Sequence, residues 1–164
     1  MKSKQNKMTE LGIAPRLALI SFLYFFVVLI INRIYPDMSL LPQKFSLFYT
    51  IVGLIIFFLG FIMYVIGAKV IRSAYREERL VTYGIFSIVR NPMYSGILIF
   101  VFIGIAFLLG YWLMFSVPVV AYIAFKLLIK KEEDYLEEKF GQDYIDYKLE
   151  VNAIIPFPHF SKRK

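Results

Sequence analysis

From Asn91 to Phe125 the chain runs through 35 residues without one charged side chain. A water-soluble domain has no place for such a stretch, because its surface needs polar side chains at short intervals. A transmembrane helix needs only about 20 apolar residues. The stretch is therefore too long for one ordinary crossing and suits two short ones. Gly110 and Tyr111 near its midpoint mark a tight turn, and Pro118 either kinks the returning helix or marks its outer portion. Two more charge-free runs precede it, Leu17 to Asn32 and the 24 residues between Lys44 and Lys69. With 59% hydrophobic and 19% charged residues and a mean hydropathy of +0.65, the reading is an all-α integral membrane protein. It has four transmembrane helices, the last two a tight hairpin, at about 17–34, 45–68, 93–109 and 112–129. One domain covers 1–164, with a basic tail at 1–16 and an amphipathic helical cap at 130–156.

The charges set the orientation. Lys2, Lys4, Lys7 and Arg16 face Glu10 alone, and no small-x-small cleavage site follows, so the first span is read as uncleaved. Arg33 and Lys44 are nearly alone on one side, while Lys69, Arg72, Arg76, Arg79, Arg90 and the C-terminal segment share the other. The positive-inside bias places both termini and the polar segments in the cytoplasm. The net charge of +7 is accounted for by topology and anionic lipid headgroups rather than nucleic acid. The absence of cysteine excludes disulfides, thiolate metal ligands and a covalent cysteine mechanism. The single histidine, His159, reads as a tail residue, and no metal site is expected.

Gly53, Gly60 and Gly67 recur every seven residues on one helical face, which suits either close helix packing or space left for a bound tail. In the C-terminal segment Leu136, Phe140, Tyr144, Tyr147 and Val151 form an apolar helical stripe, with Gly141 placed to end one helix and start another. The polar groups that need a reason fall in two blocks. Tyr83-Gly84-Ile85-Phe86-Ser87 is followed by Arg90-Asn91-Pro92-Met93-Tyr94, and Glu132-Glu133 lies just past the fourth span. Gly84 lets the main chain approach a ligand, and Pro92 suits a first helical turn. Asn91 either caps that helix or binds an anionic group. Arg90 either grips a carboxylate in its fork or snorkels to phosphate.

The stretch YGIFSIVRNPMYSG resembles the glycine-x-tyrosine, arginine-histidine-proline-x-tyrosine signature of the isoprenylcysteine carboxyl methyltransferase family and the related phospholipid N-methyltransferases. EEDYLEEKFGQDYIDYKLEVNAIIP is similar to their closing pattern of a glutamate pair, Phe-Gly, two spaced tyrosines and Ile-Pro. The resemblance runs from about Leu80 to Pro156. It implies a membrane methyltransferase that uses S-adenosylmethionine, with a lipophilic acceptor entering from the bilayer. By that resemblance Tyr83, Gly84, Phe86, Arg90, Asn91, Pro92, Tyr94, Glu132, Glu133 and Tyr144 would surround the cofactor. Asn91 stands where the family has histidine, and asparagine carries no proton at neutral pH.

Methyl transfer rests mainly on placement and desolvation. The cofactor's carboxylate would meet Arg90 and Asn91, its ammonium Glu132 or Glu133, and its sulfonium the rings of Tyr83, Phe86, Tyr94 and Tyr144. An isoprenylcysteine-type carboxylate acceptor needs no base; a phospholipid amine or another small hydrophobic nucleophile does. Glu133 is the expected base, with Tyr147 second. Two other readings compete: an NADPH-dependent membrane sterol-type reductase, and a non-enzymatic membrane adaptor.

Overall fold

The computed structural model describes residues 12–156. His159 and the basic residues Lys2, Lys4 and Lys7, with Glu10, lie outside the described residues. Among those described the fold is all-α, with Leu40 and Tyr111 forming an isolated antiparallel bridge.

Helix α1 is Ala14–Ile34, with Pro15 in its first turn, where a missing N–H breaks no helical bond. Helix α2, Ser46–Arg76, continues past the expected 45–68. Lys69, Arg72 and Arg76 therefore lie on helix, not in the polar connection where the sequence placed them. Its 31 residues extend about 46 Å at 1.5 Å per residue. That exceeds a hydrocarbon core of about 30 Å, so the charged end stands clear of it. Helix α3, Pro92–Leu109, contains a π-helical stretch at Gly96–Val101. Helix α4 is Ser116–Leu128, and Pro118 falls in its first turn rather than at a kink. Helices α5, Lys130–Phe140, and α6, Gln142–Glu150, follow.

α1, α2 with the turn before it, and α3 are each long and apolar enough to cross a membrane. A fourth crossing is available when Trp112–Leu128 and Lys130–Phe140 are taken as one pair, bent by 45°. The chain is a multi-pass integral membrane protein. Eight of the eleven residues of α5 are charged, so this limb of the bent pair does not sit in hydrocarbon.

The helices do not pack in chain order. α3 lies against α2, and α4 lies chiefly against α1. The α2–α3 contact is built from glycine. A Cβ placed on Gly60 would lie 2.5 Å from the Gly96 carbonyl oxygen and 2.6 Å from Phe100 Cβ. One on Gly104 would lie 2.8 Å from the Phe57 backbone. Gly53 and Gly67 are close but looser, with nearest atoms at 3.0 Å, so the seven-residue glycine repeat is a packing seam. On the other side Leu17 and Val28 of α1 join Phe102, Val117, Ala121 and Phe125 in the main core. Tyr24 hydroxyl donates to Ser116 Oγ across α1 and α4.

The chain reverses at Gly110, in the left-handed region at φ +70°, and α4 meets α3 less than it meets α1. The turn is held by the α1–α2 connection. Leu41 N–H donates to Gly110 O at 2.8 Å, and Trp112 N–H to Ser39 O at 2.9 Å. At the opposite end the Glu77–Asn91 connection, α5 and α6 come together.

Candidate active site

Pro92 occupies the first position of α3, and its ring imposes the required φ. Asn91 precedes it but makes no side-chain cap, contrary to one of its two expected parts. Its Nδ2 instead donates to Ala153 O at 3.3 Å, and its backbone N–H donates to the same oxygen at 2.9 Å. Arg90 N–H donates to Asn152 O at 2.8 Å. The two residues are thus laid along the extended segment after α6, which Ile154, 1% exposed, pins into the core. The Ile-Pro ending of the sequence pattern acts here as a strap beneath Arg90 and Asn91.

Arg90 does not snorkel. Its side chain is 8% exposed, and Nη1 donates to Glu133 Oε1 at 2.9 Å and to the Tyr144 hydroxyl at 3.1 Å. Nε donates to Val151 O at 2.9 Å, so these bonds leave Nη2 for another partner. Glu133 is taken on both oxygens, since Lys148 Nζ lies 2.8 Å from Oε2. Burial pushes the Glu133 carboxyl upward, but Lys148 and Arg90 outweigh it and hold it below the ordinary glutamate value. A carboxylate so paired is a poor base. Tyr147 is no better placed: its hydroxyl donates to Phe86 O at 2.6 Å, and burial pushes its pKa up. Both side chains tie neighbouring segments together in this geometry.

Next to this lattice lies a cavity of about 220 Å³. Phe86, Arg90, Asn91, Pro92, Tyr94, Glu132, Tyr144 and Tyr147 line it, so two sequence blocks some forty residues apart meet there. Three expected residues do not reach its wall. Glu133 stands behind Arg90. Tyr83 is 57% exposed, its hydroxyl accepting from Arg79 Nη1. Gly84 has φ +63° and no atom near its would-be Cβ, so it shapes the turn in open space.

The sequence reading missed the opposite wall: Ile71, Ala74 and Tyr75 on the charged end of α2, then Glu78 to Val81. The spacing 71, 74, 75 is one helical face, visible only if α2 is carried past Lys69. Glu78, at φ +51°, is the one non-glycine residue with positive φ among those described. It faces Lys139 Nζ at 3.7 Å. Leu136 and Phe140 of the apolar stripe complete the wall, and Gly141, at φ +58° and ψ −133°, separates α5 from α6 as expected.

Glu132 is the carboxylate recessed in this cavity. Its Oε2 accepts from the Tyr94 hydroxyl at 3.4 Å, and its carboxylate also accepts from the backbone N–H of Ile13, just before α1. Burial raises its pKa above the ordinary glutamate value; the Ile13 and Tyr94 bonds pull the other way, and Glu133 adds a smaller upward push. Tyr94 is fixed from behind by Phe125, ring centroids 5.5 Å apart. The arrangement can hold an anionic group at Arg90 and Asn91, a cationic one at Glu132, and a flat or apolar body between the rings. Among the described residues no acidic or histidine cluster suits a metal ion.

The phospholipid methyltransferase family profile matches residues 48–143, more than half of the chain and most of the cavity lining, though not Ala14, Tyr144 or Tyr147. The chain belongs to the phospholipid methyltransferase family. Protein-S-isoprenylcysteine O-methyltransferase B of Arabidopsis thaliana is 37% identical over 92 residues, 50% of this chain and 43% of that protein. Probable protein-S-isoprenylcysteine O-methyltransferases of Oryza sativa subsp. indica and subsp. japonica are each 31% identical over 97 residues, 54% of this chain and 47% of theirs. This phospholipid methyltransferase family member thus spans less than half the length of the curated relatives it matches. No solved structure matches it. α1 precedes the matched segment, so the Ile13–Glu132 contact joins residues within the match to a residue before it.

Proposed function

We propose that the chain is an S-adenosylmethionine-dependent membrane methyltransferase acting on a lipophilic acceptor that enters from the bilayer. The observation that carries this reading is the cavity between the apolar helices and the α5–α6 cap, in which Arg90, Asn91, Tyr94, Tyr144 and Glu132 converge. The residues fit such a cofactor. Arg90 Nη2 and Asn91 suit its carboxylate, and the rings of Phe86, Tyr94 and Tyr144 suit a sulfonium. When bound, the cofactor supplies an electrophilic methyl group. Glu133 and Lys148 fix Arg90, and Tyr147 fixes the turn at Phe86. Asn91 in the histidine position needs no proton for this, because its part is to hold the chain and a ligand group.

The acceptor is drawn from isoprenylcysteine-type carboxylates, phospholipid amines and small hydrophobic nucleophiles, with membrane lipids as the surrounding partners. In this reading the single domain crosses the membrane four times, the last two crossings joined as a hairpin at Gly110. The termini, the α5–α6 cap and the cavity face the cytoplasm, since Lys69, Arg72, Arg76, Arg79, Lys130 and Lys131 gather at that end.

Calorimetric titration of the purified protein in lipid discs with S-adenosylmethionine and S-adenosylhomocysteine tests the proposal, with NADPH as control. Saturable binding of both sulfur compounds is expected, weakened in Arg90→Lys, which keeps charge but loses the fork. Binding of NADPH alone, or of none by folded protein, rejects it.

A further inference from the structure

We propose that Glu132 is the proton acceptor of this site, and that the Gly12–Ile13 approach to α1 holds its carboxylate in place for that task. The inference rests on the methyltransferase reading and deepens it. It assigns the base to the glutamate that the sequence had given to cofactor binding, and it gives a part to a segment outside the family match.

Geometry sets the other carboxylates and Tyr147 aside. Glu133 has Arg90 on one oxygen and Lys148 on the other, and it does not line the cavity. Glu78 is paired with Lys139 at the mouth and is largely exposed. Tyr147 directs its proton at Phe86 O. Glu132 is left, recessed against Tyr94 and opposite apolar side chains, with no cation paired to it among the described residues. A recessed carboxylate of raised proton affinity is a better base than a paired one.

The second observation is what stands behind it. Gly12 has φ +50°, and a Cβ there would lie 3.1 Å from Glu132 Oε2 and 3.2 Å from its Cδ. The carboxylate thus packs against a glycine backbone with no room for a side chain, and the next residue, Ile13, donates its N–H to it. The positive end of the α1 dipole points the same way. Ala14 then continues into the cavity wall. The groups facing Glu132 are Tyr94 from α3, Glu133 from its own helix and the Ile13 N–H. Arg90, Tyr144 and Tyr147 line the same cavity, with Glu78, Arg79 and Lys139 toward its mouth.

The chemistry this serves is an acceptor that arrives protonated, a primary or secondary ammonium on a lipid. One N–H bond breaks and an O–H bond forms on Glu132. The freed nitrogen lone pair becomes available for methylation, and the proton later passes from Glu132 to water. One proton is released for each methyl group transferred.

The test uses the full chain in lipid discs, with phosphatidylethanolamine and an S-farnesylcysteine carboxylate as acceptor probes. Glu132→Gln is expected to lower turnover on phosphatidylethanolamine by about 100-fold while S-adenosylmethionine affinity is kept. Near-wild-type turnover of Glu132→Gln, turnover confined to the carboxylate probe, or loss of cofactor binding in Glu132→Gln each overturns the assignment. The second readout needs no cofactor. Infrared spectra of the protein across pH should show a carboxyl band titrating above the ordinary glutamate range, absent in Glu132→Gln and moved upward in Gly12→Ala. A band unchanged by Glu132→Gln overturns the base, and one unmoved by Gly12→Ala overturns the part given to α1. Failure of the wild-type protein to bind S-adenosylmethionine removes the methyltransferase reading itself, and the infrared titration separates that result from the others.

Discussion

Arg90 is the residue on which the lattice beside the cavity turns. It joins three stretches, since its own segment, Glu133 on α5 and the strap at Val151 meet at one guanidinium. Removing Glu133 leaves that charge buried with Tyr144 and carbonyls alone, and breaking a buried pair of this kind costs about 3 kcal/mol or more. Glu133→Ala should therefore lower the unfolding midpoint in detergent clearly more than Glu138→Ala, an exposed position on the same helix. The pH dependence follows from the same pairing. Glu133 is held below its ordinary value in the folded protein. Its contribution is complete above the unfolded carboxylate range, at about pH 4.3, and is lost as pH falls through the lower folded value. Glu132 has the opposite sign, because its raised value favours the protonated form. Unfolding midpoints of wild type and Glu133→Gln, measured from pH 7 downward, should converge at the acid end.

Among elements, the α2–α3 seam has the least tolerance. Gly60→Ala places a methyl group 2.5 Å from a backbone oxygen that cannot swing aside. Forced separation of packed elements costs about 1–3 kcal/mol. Gly84→Ala makes a useful contrast: nothing lies within 4 Å of its Cβ position, so its cost is the left-handed backbone alone, about 1–2 kcal/mol. Thermal aggregation midpoints should fall for both, and a helix–helix distance measurement should change only for Gly60→Ala. The seam was legible because glycine spacing is a local record of close approach. The apolar stretches and the break at Gly141 were legible for similar reasons. The charged end of α2 was not, because Lys69, Arg72 and Arg76 break the hydropathy signal while the helical hydrogen bonds continue regardless. The cavity wall at Ile71, Ala74 and Tyr75 was lost with it. The division of labour between Glu132 and Glu133 was equally hidden. Adjacent glutamates read alike in sequence, and their difference comes from Arg90, Lys148 and Ile13, all distant along the chain.

At the scale of the whole molecule, polar contacts close both ends. One holds the cavity, while at the other Ser39, Leu41, Gly110 and Trp112 bind the two connections together. The proposed orientation is directly testable, since the sequence contains no cysteine to remove first. Lys44→Cys and Asp134→Cys introduced singly should react with an impermeant thiol reagent from opposite faces of sealed vesicles. Labelling of both from one face would contradict four crossings with a cytoplasmic cap.

The seating of α1 against α4 also bears on how the protein is made. Tyr24 and its partner Ser116 are 92 positions apart. At about 5–20 residues per second of synthesis, α1 exists for roughly 5–20 s before that partner leaves the ribosome. During this interval Ser21 and Asn32, both buried in the finished fold, lie on a helix whose main helical partner is not yet made. α2 offers no substitute, because its glycine face is shaped for α3. The first helix must therefore enter the bilayer on its own hydrophobicity and wait there. The Glu132 pocket, which needs the approach to α1 at its back, is among the last parts of the molecule to form.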